Sequence, residues 1–526
     1  MTSKTRSKRA VLAASVALPC LLAAACTVGP DFKTPAGNAP SGFFASRPPP
    51  KPVESEPVAQ PVDPNWWSLF NDPQLTALED RVAAENLDVR IATYRLAESR
   101  AQRGVTAAAE FPSITGNGSY ERQKASNNGV FSLLQSSPGS TSQAGTNAGG
   151  TGLGAGAVPT NGQIPPFDLY QYGLDATWEI DLWGRVRRAV EAADASINAS
   201  AEARRDTLLT SLAEVARDYI DLRGAQLREK IADDNLKSSQ DALRLTQQRA
   251  AGGLTTDLDV ANAAAQVRTT AAEIPPIQAD EANYINALSL LLGQPPNALR
   301  AELEQPKPVP PVPPRVPIGL PSELARRRPD IRQAEAQLHE ATADIGVAVA
   351  DFYPQVTLGG SFGIQGLQPK DLWTLNSRQW SFGPSISIPI FEGGQLKSTL
   401  ELRKASEQEA AVNYQRTVLK AWHDVDNALT AYEATQRRRD QLVQAVAQNQ
   451  RALALATDRY QQGVSDFLDV LDAQRNLLST QQQLAIATTN VSENLVALYK
   501  ALGGGWETAY PDKTVSADAG GSRTGL

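Results

Sequence analysis

Cysteine, histidine and methionine are nearly missing from this chain, at two, two and one residues in 526. Cys20 and Cys26 both lie close to the N-terminus, which excludes a disulfide framework and a Cys/His zinc site. His339 and His423 are far apart in sequence and read as ordinary helix-surface residues. Net positive charge is also lacking: 57 acidic residues outnumber 50 basic ones for a net charge of −7, so there is no basic field for nucleic acid. No GxxxxGK[ST] pattern occurs, and no nucleotide or other cofactor is expected. Beyond the first segment no run reaches 18 consecutive apolar residues, so no membrane-spanning helix is expected either. These gaps do not signal disorder, because 41% hydrophobic and 6% aromatic residues are globular proportions.

What is present begins with an export signal. "MTSKTRSKRA" carries Lys4, Arg6, Lys8 and Arg9, and "VLAASVALPCLLAAAC" follows as a short apolar run ending in small residues. A charged region, a short apolar region and a small-residue end describe a leader over residues 1–25. "LLAAAC" resembles a bacterial lipoprotein signal, with cleavage before Cys26 and lipidation of that residue, although Ala23 stands where such motifs prefer Leu. Thr27 replaces the Asp of an inner-membrane retention signal, which implies delivery to the outer membrane. Residues 26–64 then form the anchor and a Pro-rich linker.

The chain contains itself twice. "LDVRIATYRLAESRAQRGVTAAAEFP" (Leu87–Pro112) aligns with "PDIRQAEAQLHEATADIGVAVADFYP" (Pro329–Pro354), pairing Asp88 with Asp330, Gly104 with Gly346 and Pro112 with Pro354. "GGLTTDLDVANA" (Gly252–Ala263) aligns with "QGVSDFLDVLDA" (Gln462–Ala473), and Leu292-Gly293 with Leu502-Gly503. The first copy is longer by a Gly/Ser-rich tract between Pro112 and Gly173, which reads as a long loop. Such a duplication points to one architecture made of two similar halves, over residues 65–293 and 322–503. A linker over 294–321 joins them, and residues 504–526 form a C-terminal segment with a tail of disordered composition.

Each half repeats one rhythm. A helical stretch (about 72–109, and about 323–350) leads to "FP" or "YP", and period-2 segments follow. In "VTLGGSFGI", Val356, Leu358, Phe362 and Ile364 alternate with Thr357, Gly359, Ser361 and Gly363; Tyr170, Tyr172, Leu174, Trp178 and Ile180 alternate likewise. Strands are expected at about 111–122, 169–183, 353–364 and 380–391, each with an apolar and a polar face. Long apolar-out, polar-in strands with flanking aromatics fit a membrane barrel. Four strands cannot close, since small barrels need about 8, and an open edge in lipid leaves backbone groups unsatisfied. A soluble sandwich whose apolar face is a core is the alternative; if the strands lie in a membrane, several chains must pool them.

A very long helix follows each strand pair (about 185–250 and 393–460). Leu208, Leu212, Val215, Tyr219 and Leu222 step by the 3.5-residue repeat of a coiled-coil seam, as do Val418, Trp422, Val425, Leu429 and Tyr432. Glycine breaks return the chain through helices at about 256–292 and 466–502, the first kinked by Pro275-Pro276. At the second break stand Asp466, Asp469 and Asp472. Carboxylates three apart share a helix face and suggest acid–base chemistry, but no His, Cys or metal cluster accompanies them and a coiled-coil turn offers no pocket. No enzyme activity is expected. Ser465 or Asp466 is positioned to cap the returning helix, as Thr256 is in the first half.

These residues together resemble the TolC-like outer-membrane efflux factors, specifically the lipoprotein (NodT-type) group serving resistance–nodulation–division pumps. The most specific matches are "CTVGPDFKTP", "WWSLFNDPQL", "IDLWGRVRRAVEAA", "PDIRQAEAQL", "FYPQVTLGGSFG" and "FEGGQLKSTLELRKA". The resemblance implies an α-helix-dominated membrane protein that forms a homotrimer, with a helical coiled-coil barrel and a twelve-stranded outer-membrane β-barrel. It implies an exit duct for small molecules, fed by an inner-membrane antiporter through a periplasmic adaptor. A duct for type I protein secretion is the alternative. It also implies that Asp469 and Asp472 form a cation-binding gate at the periplasmic end, and that Glu121, Asp175, Glu179 and Asp181 line an acidic lumen.

Overall fold

The computed structural model describes residues 27–35, 40, 42–43, 54–124 and 166–511. Its strands are β1 (Glu56–Val58), β2 (Ser113–Gln123), β3 (Phe167–Ile180), β4 (Arg315–Pro317), β5 (Gln355–Gly366) and β6 (Arg378–Ser387). Its main helices are α1 (Pro73–Glu85), α2 (Leu87–Ala107), α3 (Arg185–Ala251), α4 (Asp257–Ala272), α5 (Ile274–Leu291), α6 (Pro329–Ala350), α7 (Gln395–Gln461) and α8 (Phe467–Leu502). The chain divides into two compact units.

One unit takes residues up to 30, 104–191 and 343–403. It holds an antiparallel sheet in the order β2-β3-β5-β6. Because side chains alternate across a strand, the register decides its faces. Thr115 lies opposite Asp175 and Asp175 opposite Ser361, which lies opposite Ser381. Leu174 lies opposite Phe362, and Phe362 opposite Trp380. One face is thus polar across all four strands and the other apolar. The apolar face is open: Trp380 is 77% exposed, and Phe382, Ile386, Leu174 and Ile114 are exposed as well. The first described residues are fixed to this unit. The Val28 amide donates to the Trp183 carbonyl, and Gly29, at φ +95°, packs so closely on Gly346 that a Cβ would stand 2.5 Å from its Cα. Neither position has space for a side chain.

The other unit takes residues 31–103, 192–342 and 404 onward. All five first-half seam residues, Leu208 to Leu222, are fully buried there; in the second half Val425, Leu429 and Tyr432 are buried while Val418 and Trp422 are half-exposed. The "WWSLFNDPQL" segment earns its place in the core. Trp66 stacks on Tyr499 with ring centroids 5.4 Å apart and donates to the Gly504 carbonyl. Asp72 caps α1 by accepting from the Gln74 and Leu75 amides, with Pro73 in the first turn, and accepts from Tyr219 on α3 as well. Arg223, wholly buried, donates to the Leu303 and Gln305 carbonyls and to Gln74, fixing the linker and α1 to α3.

Four features differ from the expected elements, one being that the helix expected over 323–350 breaks at the extended Arg328, so that α6 begins at Pro329. The helix expected over 72–109 divides at Asn86, whose side chain accepts from the Asp88 and Val89 amides and starts α2 afresh. The first return helix divides at Glu273, because Pro275 and Pro276 withhold the amides that would continue α4; α8 runs unbroken. Strand β6 stops at Ser387, short of the expected 391.

Candidate functional site

Two places gather the charged residues singled out by the sequence. The first is the polar face of the sheet. Asp175 accepts from Asn117 across the β2–β3 pair, and Glu121 accepts from Gln123. Glu179 and Asp181 are not free acids. Glu179 forms a two-point pair with Arg185 at 2.5 and 2.9 Å. Asp181 accepts from both the backbone amide and the guanidinium of Arg187 at 2.9 and 3.3 Å. Both arginines belong to the first turn of α3, where the chain leaves the sheet. Of the four carboxylates, Glu179 and Asp181 thus have cation partners, and Asp175 and Glu121 have none among the described residues.

The second place is where the long helices turn back. Both end alike. Leu254 donates to the Arg249 carbonyl and Gly253 to that of Ala250; Val464 donates to Arg459 and Gly463 to Tyr460. With Gly253 at φ +70° and Gly463 at +74°, each end is a Schellman motif, whose left-handed residue favours glycine. The next residues diverge. Thr256 forms a complete capping box with Asp259, and Thr255 donates to the same carboxylate at 2.5 Å. The Thr255 hydroxyl, with the Thr256 amide and hydroxyl, holds the Asp259 carboxyl below its usual range. In the second half Asp466 takes the cap position without any side-chain bond, and the Ser465 hydroxyl is buried unpartnered. The expected cap is not formed: the Asp466 carboxylate accepts from no first-turn amide, and, unlike the Thr256 hydroxyl, it has no proton to donate to the acid three residues on.

Asp469 and Asp472 are both exposed. Among the described residues the contacts of this turn go to other groups. Phe467 packs on Tyr460 at 5.5 Å, within a small core that includes Val470, Leu471 and Ala263. Arg249 lies over the Tyr460 ring at 4.6 Å and donates to the Tyr460 and Gln461 carbonyls at 2.7 and 2.9 Å. It thereby closes the end of α7 with a cation from α3, the favoured charge at a helix C-terminus. Sequence reading passed over Arg249, although basic residues in the last turns of both long helices, Arg249 and Arg459, were a usable signal. The described residues contain no cluster of His, Cys, Asp or Glu able to hold a metal. Cys26 lies outside the described residues.

The sequence profile of the family "Outer membrane efflux protein" matches residues 78–294 and 320–504, one match to each half. The chain belongs to the outer membrane efflux protein family. It is an outer-membrane efflux channel with a TolC-like fold and not an enzyme. The probable efflux pump outer membrane protein TtgC of Pseudomonas putida is 32% identical over 498 residues, which cover 94% of this chain and 95% of that protein. The probable outer membrane lipoprotein SilC of Salmonella typhimurium is 30% identical, covering 94% and 98%. Among solved structures, the outer-membrane channel OprN is 35% identical with a TM-score of 0.81, covering 92% of this chain and all of that one.

Proposed function

We propose that three copies of this channel pool their sheets into one twelve-stranded barrel and their long helices into a periplasmic duct. The carrying observation is the β2-β3-β5-β6 sheet, with neither outer edge paired among the described residues and an exposed apolar face continuous over four strands. In lipid each unsatisfied backbone group costs several kcal/mol, and about 8 strands are the least that close. Three copies give twelve strands, apolar outward and polar inward.

Cys26 carries the lipid in this reading. The backbone bond from Val28 to Trp183, two residues after Cys26, supports an anchor beside the strand ends. The duct receives small molecules from a resistance–nodulation–division antiporter through a periplasmic adaptor. A relative named as a toluene efflux pump outer membrane protein supports small apolar cargo.

Asp469 and Asp472 form the gate. Six carboxylates around one axis repel unless cations bridge or protons neutralise them. The contrast with Asp259, absorbed by its capping box, supports this role. In planar bilayers the purified protein is expected to give discrete channels blocked by multivalent cations from the periplasmic side. The double variant Asp469→Ala, Asp472→Ala is expected to conduct more and to lose most of that block. Unchanged conductance would remove the gate assignment, and absence of any channel would remove the duct.

A further inference from the structure

The internal repeat is kept in the sheet register, residue by residue. Aligning the halves pairs Thr115 with Thr357, Gly118 with Gly360, Ser119 with Ser361 and Tyr120 with Phe362 in the first strands. In the second strands it pairs Tyr170 with Trp380, Tyr172 with Phe382 and Gly173 with Gly383. Hairpin pairing obeys the same correspondence: Ser113 lies opposite Thr177, and their counterparts Gln355 and Ser387 lie opposite each other. Each half therefore carries the same hairpin, and the structure shows how one hairpin joins the next, through β3 and β5. There Gly173 lies opposite Gly363, Asp175 opposite Ser361 and Trp178 opposite Leu358.

We propose that β6 of one copy pairs with β2 of the next in the register of the β3–β5 junction. The inference rests on the assembly proposed above and adds its strand register. Replacing each residue by its counterpart places Ser385 opposite Ser119, Ser387 opposite Asn117, Ile386 opposite Gly118, Ile388 opposite Gly116 and Ile390 opposite Ile114. Every such pair joins polar to polar face or apolar to apolar face, which a one-residue slip would reverse.

Two observations outside the alignment point the same way. Trp178–Ile180 lie beyond the last β2 partner of β3, which is Ser113 opposite Thr177, and they are strand because β5 pairs with them. Their counterparts Ile388–Ile390 follow the end of β6 and are not strand in the single chain. Ile390 is 93% exposed and Phe391 88%. Pro389 between them withholds one amide, but Ile388 and Ile390 keep theirs and have no strand partner among the described residues; β2 of the next copy supplies one. The second observation concerns glycine. At Gly346 a Cβ would meet Arg188 at 2.8 Å, whereas at its counterpart Gly104 nothing lies within 4 Å. The counterpart of Arg188 is the exposed Ser398, so the open face of Gly104 in one copy receives Ser398 of the next.

Paired residues in an antiparallel sheet have Cα atoms about 4.5–5.5 Å apart, within disulfide reach. In the full-length protein in outer membranes, Ser119→Cys with Ser385→Cys is treated with a mild oxidant and read on denaturing gels without reductant. Positions 119 and 385 of one chain are separated by β3 and β5, so any bond formed joins two copies. Covalent dimers and trimers are expected, in at least tenfold excess over Ser119→Cys with Ser387→Cys, the register shifted by two. Amide exchange at Ile388 and Ile390 in the unmodified assembly is expected to be as slow as at Trp178 and Ile180. A trimer by native mass spectrometry in which the shifted pair crosslinks better, or in which these amides exchange like a loop, would overturn the register while leaving the trimer. A monomer would overturn both.

Discussion

Glu79 shows how much a single residue can depart from its pattern. In α1 it stands on the apolar stripe of Leu75, Leu78 and Val82, is 2% exposed, and has no hydrogen-bond partner for either carboxylate oxygen. Burial, with a smaller contribution from Asp80, pushes its carboxyl well above the ordinary 4.5, so the fold favours the neutral acid. The folded state then binds a proton that the unfolded state releases above pH 4.5, and stability falls as pH rises from there towards the raised value. Glu79→Leu removes this dependence and the unsatisfied polar group, a gain of about 1–3 kcal/mol. The variant is expected to melt higher than the parent at pH 7.5, with the difference shrinking towards pH 4.5. A difference independent of pH would mean that Glu79 is not held neutral. The stripe was legible by helical spacing; the absence of a partner was not, because that depends on what α1 packs against.

At the scale of elements, the two halves are copies whose ends have diverged. Both long helices close with the same Schellman turn, and the glycines announcing it were plain in "GGLTTD" and "QGVSD". The starts of the return helices differ. Thr256→Ala breaks a formed capping box and is expected to cost about 1 kcal/mol, measured by chemical denaturation. Asp466→Ala removes a side chain that caps nothing and is expected to change stability by a few tenths at most. Equal losses would show that Asp466 does cap α8, and would weaken the contrast that leaves Asp469 free for a gate. A similar divergence separates the strand ends: Glu179 and Asp181 hold Arg185 and Arg187, whereas their counterparts Pro389 and Phe391 carry no charge.

At the scale of the whole molecule, the helical unit is held by a core that collects segments distant in sequence. Trp66 meets Tyr499 and the Gly504 carbonyl. Trp506 donates to the carbonyls of Arg327 and Gly503 and lies 4.4 Å under the guanidinium of Arg205. Replacing wholly buried Trp66 by Ala leaves a cavity costing about 3–5 kcal/mol, a large share of the roughly 5–15 kcal/mol available to a typical domain. Trp66→Ala is expected to lower the melting temperature clearly and to yield little assembled channel. An unchanged melt would mean that this core does not bear the stability assigned to it.

The sequence by itself determined the duplication, the two strand faces, the coiled-coil seams and the positions of the breaks, and with them the family. All of these are periodicities or turn signals written within a few consecutive residues, and the backbone geometry of helix and strand reads them out directly. Only the tertiary structure decided which acids are free. Asp259 and Asp469 occupy the same place in the repeat, yet one is tied down by hydroxyls and the other is bare. Glu179 and Asp181 are neutralised by arginines six residues on, and Glu79 is sealed in without a partner. The state of a carboxylate depends on the donors within about 3 Å of it, and those donors are placed by packing rather than by spacing along the chain.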